Sequence, residues 1–568
     1  MKAVLIGACA GGLVLRLIGL QYGLPHVYNP DEVAIMTRAL SFAKGTLNPG
    51  NFLYPSLFFY LLLAWVGGYL ALVWISGRVR SVAELQLLYF TDSTGIYTAG
   101  RLLGVVAGTA TIAGVYRLAQ QVADSRVAAA AALFMATAPL HVRDSHYVKH
   151  DVAATLTIVL SYLAMLRIWP GTPDERVARR REWTAAALCG VAFSTHYYCV
   201  FLAVPLLVVV IAASRSRGLG TVMRRCAAVT AISIGVFLLL SPYIAVEPAT
   251  AWRDITANRA IVVDRAVAEG AFAPVLRYLE MLVVDTTGIP VVLLAALGVA
   301  AMLRDQPART LLLLSFPMSF FLFIANTFPA SRYLNPLVPF LALFAGYGAS
   351  VAARALSPKP AILWLLAGAA AAPAIYQSVR TDLFIRQTDT RTLGLSWVEA
   401  NVPAGSTIAL QPYSTPLEPT RESLVAALEL NLGRHVDLPP KFRLQLSREP
   451  WPAPAYKLVY LGMGLDPEKT YVDYPELGGA SGLEALRRHN VAYVVVKRYN
   501  KSDPETLPFL AALTREGRRL ATVEPYRPGT SERDAASIEP FLHNTDTRIE
   551  AALERPGPAL EIWQIHDR

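Results

Sequence analysis

The stretch AILWLLAGAAAAPAIYQS, residues 361–378, is the last of a series of uncharged apolar segments, and the composition of the chain changes directly after it. Residues 1–378 hold 29 Lys and Arg and 17 Asp and Glu, so 12% are charged and the net charge is +12. Residues 379–568 hold 23 and 25, so 25% are charged and the net charge is −2. Soluble domains carry about 25% charged residues. The sequence therefore predicts a membrane domain over 1–378 and a soluble domain over 379–568.

The first part of the chain is built from apolar segments that approach the roughly 20 residues a transmembrane helix needs. These segments lie near 3–20, 98–119, 127–142, 152–168, 226–246, 287–303, 310–327, 334–353 and 361–378. Residues 183–214 are too long for one span, and we interpret them as two short helices. Residues 53–77 carry no charge and are also long enough to cross.

The charge of the loops indicates whether residues 53–77 cross the membrane, because short cytoplasmic loops retain Lys and Arg. If these residues do not cross, the loops on one side hold 16 Lys and Arg against 5 Asp and Glu. The other side, with Arg101 counted, then holds 12 against 12 and comprises the loops 21–97, 141–151, 247–285 and 326–333. If they do cross, the cluster Arg179-Arg180-Arg181 faces outward.

We therefore expect about eleven transmembrane helices, a cytoplasmic amino terminus, and a helix over Leu53–Ile75 in the outer interface. The protein would lie in a bacterial inner (plasma) membrane, with residues 379–568 as an extracytoplasmic α/β domain. In that domain, strand patterns at Thr407–Gln411, Val491–Val496 and Ala559–Ile565 alternate with helical ones. It has no Gly-rich phosphate loop and no nucleophile elbow. The basic surplus is a topology signal, so a nucleic-acid partner is disfavoured.

The acidic pair Asp31-Glu32 follows Pro30 at the start of a predicted short helix, Val33 to Lys44, just outside the first span. Two acids in a first turn can simply complement the positive end of a helix. This pair, however, lies at the membrane surface, where ionisable side chains are costly and usually functional. We favour the functional interpretation.

Three groups of cations share the predicted outer side with that acidic pair. The loop HVRDSHYVKHD, residues 141–151, has seven ionisable residues in eleven, although a solvated loop would explain some of them. Arg332 stands alone in the turn before Asn335-Pro336, where it could also anchor to lipid headgroups. Arg101 lies inside the outer end of an apolar helix and could snorkel or bind an anion. Cations at this depth suit a phosphate whose tail lies in the bilayer, and a nearby carboxylate could take a proton from an acceptor hydroxyl.

The next span carries a stripe of small residues, Gly100, Gly104 and Gly108, at four-residue spacing. Such a stripe allows a second helix to approach closely. We interpret it as a helix-packing surface and not as part of a site.

The order and spacing of several short elements resemble the GT-C glycosyltransferases that use polyprenyl-phosphate sugars. The nearest branch is family 39, with its protein O-mannosyltransferases and aminoarabinose transferases. The elements are Asn29-Pro30-Asp31-Glu32, Tyr54-Pro55-Ser56-Leu57, Arg101-Leu102-Leu103, the loop Arg143 to Asp151, and Ser331-Arg332-Tyr333-Leu334-Asn335-Pro336-Leu337-Val338-Pro339. No one of them is specific alone, but together they cover the whole membrane domain.

The resemblance implies a single inverting transfer of a sugar from a polyprenyl-phosphate donor to an acceptor hydroxyl on the extracytoplasmic side. Asp31 would be the catalytic base and Glu32 its neighbour. The donor phosphate would be bound by Arg101, Lys149, His150, Arg332 and Tyr54. Further candidates for substrate contact are Asp151, Arg143, His146, Tyr333 and His196.

Two positions depart from the aminoarabinose branch. That branch has a lysine just before the proline pair of its interfacial helix, where this chain has Tyr54. A lysine common between its fifth and sixth spans is His196 here. Both differences fall on contacts expected for the donor phosphate.

The resemblance implies a lipid-linked sugar donor and requires no other cofactor. A divalent metal on Asp31, Glu32 and Asp151 is conceivable, because hard cations favour carboxylates. The partners would be membrane lipid, the polyprenyl-phosphate sugar, and an acceptor glycan, lipid or protein. Two other classes stay open: a secondary transporter, which also has apolar helices with buried charges, and a non-catalytic envelope assembly protein on the same scaffold.

Overall fold

The computed structural model describes residues 1–169, 171–259, 273–434, 436–478, 482–498, 504–543 and 549–565. Part of the predicted external loop 247–285, residues 260–272, lies outside the described residues. The chain divides into two compact units. The first unit comprises Met1–Leu20, Asp31–Tyr69 and Tyr97–Leu383, and the second comprises Gln21–Pro30, Leu70–Ile96 and Phe384–Arg568.

Helices make up nearly all of the regular structure before residue 386. In chain order they are α1 Lys2–Leu17, α2 Pro30–Ser41, α3 Leu57–Ile75, α4 Val82–Thr91, α5 Thr94–Gln120, α6 Ser125–Thr137, α7 Pro139–Asp144, α8 His150–Met165, α9 Glu175–Thr195, α10 Ala203–Ser214, α11 Leu219–Leu240, α12 Tyr243–Val246, α13 Pro248–Arg259, α14 Ala273–Met281, α15 Ile289–Asp305, α16 Pro307–Ile324, α17 Val338–Leu356 and α18 Pro360–Ile385.

Within the described residues, seven helical segments are long and apolar enough to cross a membrane. They are Leu57–Ile75, Thr94–Gln120, Tyr197–Arg217, Leu219–Leu240, Pro307–Ile324, Ser331–Leu356 and Pro360–Asn401. A pair bent by 107°, Ala273–Thr286 with Ile289–Asp305, would make an eighth. The prediction of a polytopic helical membrane protein is confirmed at this level. The count of eleven spans stays a prediction, and by length and hydropathy α3 could itself cross.

One predicted span is divided in the structure, and one predicted pair of helices is present. Residues 127–142 are not one helix, because α6 ends at Thr137 and α7 begins at Pro139. Proline disfavours helical geometry in the residue before it, which explains the break at Ala138. Residues 183–214 form α9 and α10 with a 3₁₀ turn between them, so the expected pair of helices is present.

The core of the first unit depends on small residues that bring helices together. Ala128 to Ala132 of α6 are all completely buried. A Cβ added at Gly346 of α17 would come within 2.7 Å of the backbone oxygen of Val127. At Gly298 and Gly348, a Cβ would overlap the backbone of the facing helix, so α15 and α17 are in backbone contact there. Close approach of this kind is how helices gain packing energy in a lipid environment.

The second unit contains a six-stranded sheet formed by described residues, in the order β3-β2-β1-β4-β6-β5. The strands are β1 Thr407–Leu410, β2 Lys457–Leu461, β3 Tyr471–Val472, β4 Tyr493–Arg498, β5 Gly517–Val523 and β6 Ala559–Ile565. β1 to β4 pair in parallel, with Ile408 opposite Tyr493, whereas β6 pairs antiparallel with both β4 and β5.

The helices of the second unit beyond residue 386 are α19 Thr390–Asn401, α20 Arg421–Leu432, α21 Pro440–Leu446, α22 Glu484–Arg488, α23 Leu507–Glu516 and α24 Glu532–Ala535. The α/β class predicted for the tail is thereby confirmed. β1, β4 and β6 fall where strand patterns predicted them, within two residues at either end.

Candidate active site

Asp31 lies in the first turn of α2, and its carboxylate contacts two cations that come from distant parts of the chain. Its Oδ2 is 2.9 Å from Nζ of Lys149 and 3.2 Å from Nη1 of Arg332. The Asp31 side chain is 37% exposed, so one face stays open to a ligand, whereas the Lys149 side chain is only 8% exposed. The structure therefore brings together one carboxylate and two cations at an accessible position.

Lys149 is placed by a turn that lies against α5. It occupies the residue before α8, which begins at His150. A Cβ at Gly104 would approach the backbone oxygen of Ser145 to 2.9 Å, and one at Gly100 would approach Val148 to 3.1 Å. The glycine stripe therefore admits the turn Ser145–Lys149, and it also faces neighbouring helices, because a Cβ at Gly100 would lie 2.6 Å from Met36 of α2 and one at Gly108 would lie 2.7 Å from Arg16 of α1. Because these glycines have no side chains, the turn that carries Lys149 can lie close to α5.

Arg332 is placed by a hydrogen-bonded bridge to α7. It lies in the 3₁₀ segment Ser331–Leu337. Arg143 donates from Nη2 to Oγ of Ser331 at 3.1 Å and from Nε to Oδ1 of Asp144 at 2.7 Å. The other carboxylate oxygen of Asp144 accepts from Nδ2 of Asn335 at 2.5 Å. Arg143 thus fixes the segment that carries Arg332. Its role in this structure is therefore indirect, although the sequence predicted that Arg143 contacts the substrate.

Glu32 and Arg101 form a completely buried ion pair beside the open cluster. Arg101 donates from Nε to Oε1 and from Nη2 to Oε2 of Glu32, both at 2.9 Å, and neither side chain is exposed. Glu32 also accepts from the backbone N–H of Val148 at 2.9 Å, and Arg101 donates to the backbone oxygen of Leu20 at 2.8 Å. This geometry favours positioning roles over the direct catalytic and phosphate-binding roles that the sequence suggested for these two residues.

His146 is a structural contact at the end of α1. Its Nε2 lies 2.8 Å from the backbone oxygen of Ile18, and its Nδ1 lies 3.0 Å from that of Val142. The ring is wholly buried. Because both ring nitrogens contact backbone oxygens, this arrangement leaves neither nitrogen free for the substrate contact predicted for His146.

An aromatic wall adjoins the cluster and is formed by Tyr54, His150, His196 and Tyr198. The rings of Tyr54 and His150 stack at 4.4 Å, those of His196 and Tyr198 at 3.7 Å, and Tyr54 meets His196 edge-on at 5.4 Å. Nε2 of His150 and the hydroxyl of Tyr198 are buried without a hydrogen-bond partner within the described structure. Unpaired buried polar atoms are unfavourable unless a ligand satisfies them.

Tyr333 and Asp151 lie in the same electrostatic environment as the cluster. Both interact with Arg332 and with Tyr54. The Arg332 guanidinium lies 5.3 Å from the centroid of the Tyr333 ring. Asp151 is buried in the first turn of α8.

The charge state of Asp31 results from two opposing effects. Burial favours the neutral acid, but the ammonium of Lys149 and the guanidinium of Arg332 outweigh it, so the pKa of Asp31 is lowered from its ordinary value of 3.8. Burial raises the pKa of the Tyr54 hydroxyl. At neutral pH Asp31 is therefore an ionised carboxylate, and the adjoining Tyr54 is a neutral phenol.

The metal set suggested from the sequence does not fit this geometry. Both oxygens of Glu32 accept hydrogen bonds from Arg101, and Asp31 faces two cations that would repel a divalent ion. Among the described residues, no group of three His, Cys, Asp or Glu side chains is arranged to hold a metal.

The segment that precedes Asp31 has a network of its own within the second unit. The ring of Tyr28 lies 3.9 Å from the Arg391 guanidinium, and its hydroxyl is 2.6 Å from Oγ1 of Thr392. Asn29 donates from Nδ2 to the backbone oxygen of His543 at 2.9 Å. Residues Gln21–Pro30 are thus held by the tail, and Asp31 is the next residue of the chain.

Comparison with known proteins shows which family and which folds this chain resembles. Residues 96–245 match the family of dolichyl-phosphate-mannose-protein mannosyltransferases. The fold is similar to that of ArnT from Cupriavidus metallidurans in its apo state, with a TM-score of 0.52 and 14% identity over 90% of this chain and 95% of that one. The resemblance to GT-C glycosyltransferases is confirmed.

Two further GT-C structures show the same fold. ArnT bound to undecaprenyl phosphate matches with a TM-score of 0.52 and 14% identity, over 91% of this chain and 96% of that one. The Archaeoglobus fulgidus oligosaccharyltransferase, in complex with Zn and sulfate, matches with a TM-score of 0.53 and 12% identity, over 99% of this chain and 88% of that one. No curated protein matches the chain in sequence.

Sequence reasoning overlooked several residues that build this candidate site. Asp144 and Asn335 link the two segments that carry Lys149 and Arg332, yet each looks like an ordinary loop or turn residue in the sequence. Tyr198 belongs to the aromatic wall, but an aromatic residue in an apolar run is more often part of a core. The signal that could have found them is closeness in the sequence to a predicted site residue, since Asp144 precedes Lys149 by five residues, Asn335 follows Arg332 by three, and Tyr198 follows His196 by two.

Proposed function

We propose that the protein is an inverting membrane glycosyltransferase. It transfers a sugar from a polyprenyl-phosphate donor to an acceptor hydroxyl on the extracytoplasmic side of the membrane. The observation that carries this proposal is the open cluster, in which the Asp31 carboxylate contacts both Lys149 and Arg332. The match of residues 96–245 to a family of polyprenyl-phosphate-dependent transferases supports it.

Lys149 and Arg332 are the residues that we assign to the donor phosphate. Both are cations, and charge-assisted hydrogen bonds to phosphate are the stronger class. The neighbouring structure of ArnT with undecaprenyl phosphate supports a lipid phosphate as the ligand. His150 and Tyr54 adjoin them, and the unpartnered Nε2 of His150 could contact the phosphate or the sugar.

Asp31 is the residue that we assign to proton removal. The acceptor oxygen forms a bond to the anomeric carbon while the bond from that carbon to the phosphate oxygen breaks, which inverts the configuration. The acceptor proton passes to Asp31, and the electron pair of the broken bond leaves on the phosphate. Because Lys149 and Arg332 stabilise the developing phosphate charge, a general acid is not required.

Lys149 and Arg332 contact Asp31 when no donor is bound, and they contact the donor phosphate when the donor is bound. A bound phosphate competes with the carboxylate for Lys149 and Arg332, and this weakens the interactions that lower the pKa of Asp31. Donor binding therefore increases the basicity of Asp31 at the moment when a base is needed. In this scheme Glu32, Arg101 and Arg143 position the catalytic group without touching the reacting atoms.

We assign the tail, which is the predicted domain of residues 379–568, to the extracytoplasmic side of the membrane, and we assign the Asp31 cluster to the same side. We propose eleven spans, as the loop charges indicate, with α3 in the outer interface. The acceptor would be a glycan, lipid or protein hydroxyl, and the tail would take part in selecting it. Deletion of residues 385–568 with unchanged acceptor choice would count against that role.

Purified protein in lipid nanodiscs, supplied with a polyprenyl-phosphate sugar and fractionated envelope acceptors, tests the function directly. We expect release of polyprenyl phosphate together with a glycosylated product of inverted anomeric configuration. Mass spectrometry of envelope glycans and glycoproteins, with and without the gene, identifies the acceptor.

Two controls separate the alternatives. Uptake of solute into sealed vesicles without sugar transfer would indicate a transporter instead. An intact cellular phenotype in an Asp31→Ala strain would indicate a non-catalytic envelope protein.

A further inference from the structure

A polar cavity lies where α5 and α8 end and α16 begins. It has a volume of about 580 Å³ and is lined by three arginines, Arg117, Arg167 and Arg309, together with Gln121 and Trp169. Arg117 follows Arg101 by sixteen residues of α5, which places it about 24 Å further along the helix at 1.5 Å per residue. The cavity is therefore separate from the Asp31 cluster.

The cavity is a built junction of three helix ends. Gln121, just after α5, donates from Nε2 to the backbone oxygen of Leu163 in α8 at 3.2 Å. Gln306, just before α16, donates from Nε2 to the backbone oxygen of Val122 at 2.9 Å. α5, α8 and α16 are thereby tied together near Arg117 of α5, Arg309 of α16, and Arg167, which lies two residues beyond the end of α8.

No acidic side chain of the described residues neutralises the charge of this cavity. Its lining contains three guanidiniums and no carboxylate. Among the described residues, no carboxylate lies within ion-pair distance of these guanidiniums. The nearest acids in sequence have other partners: Asp124 caps α6 by accepting from two backbone N–H groups, and Asp305 accepts from Arg304 and Tyr347. Three like charges in one cavity repel each other unless an anion is bound.

The other lining residues indicate which kind of anion the cavity suits. Leu163, Leu166 and Trp169 supply apolar surface beside the arginines. Tryptophan is enriched at the level of lipid headgroups, and basic pockets between transmembrane helices on the cytoplasmic side bind anionic headgroups. By the loop charges, this end of α5 is the cytoplasmic one. A ligand that combines phosphate with acyl chains satisfies both parts of the lining.

We propose that this cavity binds the phosphate of an anionic phospholipid of the inner leaflet. Guanidiniums match phosphate oxygens in planar, bidentate geometry, so two or three arginines can share one headgroup. The site is independent of the proposed sugar transfer, because it lies at the opposite ends of the helices. The same phosphate chemistry could come from a free anion, and the test must distinguish the two sources.

The test uses the full chain in nanodiscs of phosphatidylcholine alone or with one fifth phosphatidylglycerol or cardiolipin. Native mass spectrometry measures retained lipid, and thermal unfolding measures stabilisation. For wild type we expect retention of anionic lipid and a higher unfolding midpoint. The variant Arg117→Gln/Arg167→Gln/Arg309→Gln should retain it on the order of 100-fold more weakly, at roughly fivefold per cation. A matched variant, Arg179→Gln/Arg180→Gln/Arg304→Gln, removes three cations outside the cavity lining and should behave like wild type.

Three results would overturn the proposal. These are equal retention by the two triple variants, no preference for anionic over neutral lipid, and equal stabilisation by inorganic phosphate in phosphatidylcholine nanodiscs. The last result would assign the cavity to a small free anion. If the triple variant does not fold, Arg309→Gln alone, compared with Arg304→Gln in the same lipid titration, makes the same comparison with an expected difference of about fivefold.

Discussion

Asp31 and Glu32 are adjacent in sequence and chemically alike, yet the structure gives them opposite surroundings. Glu32 is completely buried and both of its oxygens bind Arg101. Asp31 is 37% exposed and faces two cations that are not committed to it alone. A buried, fully paired carboxylate stabilises structure, whereas an exposed one with shared cations can exchange them for a ligand. This difference supports our proposal that Asp31 takes the catalytic role and Glu32 a positioning role.

The largest effect is expected on the rate when the open member of the pair is altered. General-base assistance contributes about 10²–10⁴-fold, so Asp31→Asn should lower kcat by that factor, or about 3–5 kcal/mol of barrier. Sugar transfer measured in nanodiscs checks this prediction. Near-normal transfer by Asp31→Asn would remove the assignment of the base.

Substitution of Glu32, the buried acid, should lower the stability of the protein instead. Glu32→Gln leaves the Arg101 charge uncompensated in the interior, which costs about 3–5 kcal/mol when one partner of a buried pair is removed. The midpoint of thermal unfolding should fall, with a smaller change in kcat per folded molecule. Asp31→Asn is the matched control and should unfold near the wild-type temperature. The opposite pattern, a stable Glu32→Gln protein without activity, would reverse the two roles.

Removal of the shared cations should weaken the donor complex more than the fold. Hydrogen bonds to charged groups contribute about 1.5–3 kcal/mol. Lys149→Met and Arg332→Gln should therefore each lower kcat/KM for the donor by about 10–100-fold. Arg253→Gln, an exposed cation elsewhere in the first unit, serves as control. If donor titration shows unchanged kcat/KM in both cation variants, the phosphate lies elsewhere.

The smallest effect is expected in the pH profile. Because the pKa of Asp31 is lowered, its ionised form persists below the ordinary pKa of 3.8 and is lost only as pH falls through the lowered value. The acid limb of kcat/KM for the donor should thus lie below that ordinary value. In Lys149→Met one of the lowering charges is gone, so the limb should move to higher pH. An unmoved limb would show that a group other than Asp31 controls it.

Sequence reasoning reached the components of the site but not their pairing. Asp31, Lys149 and Arg332 could be predicted because each is a charge beside an apolar span. That Glu32 pairs with Arg101 could not, since both are ionisable and 69 residues separate them. The glycine stripe was assigned to packing in general, but only the structure shows that a turn occupies it.

In the fold as well, local sequence patterns predict some helices and strands, whereas others depend on contacts between residues that are distant in the sequence. Hydropathy predicted the membrane class, and alternation predicted β1, β4 and β6. β2 was missed although its Lys457-Leu458-Val459-Tyr460-Leu461 run is strand-like, because nothing local assigns it a partner beside β1. The break at Ala138 was missed because the apolar composition continues through Pro139.

The affinity of the Asp31→Asn protein for polyprenyl phosphate tests the central claim most directly. If Lys149 and Arg332 are shared between Asp31 and the donor phosphate, removing the carboxylate charge frees both cations for the phosphate. We therefore predict that this variant binds polyprenyl phosphate more tightly than wild type while its transfer rate falls. Unchanged or weaker binding would contradict the shared-cation account.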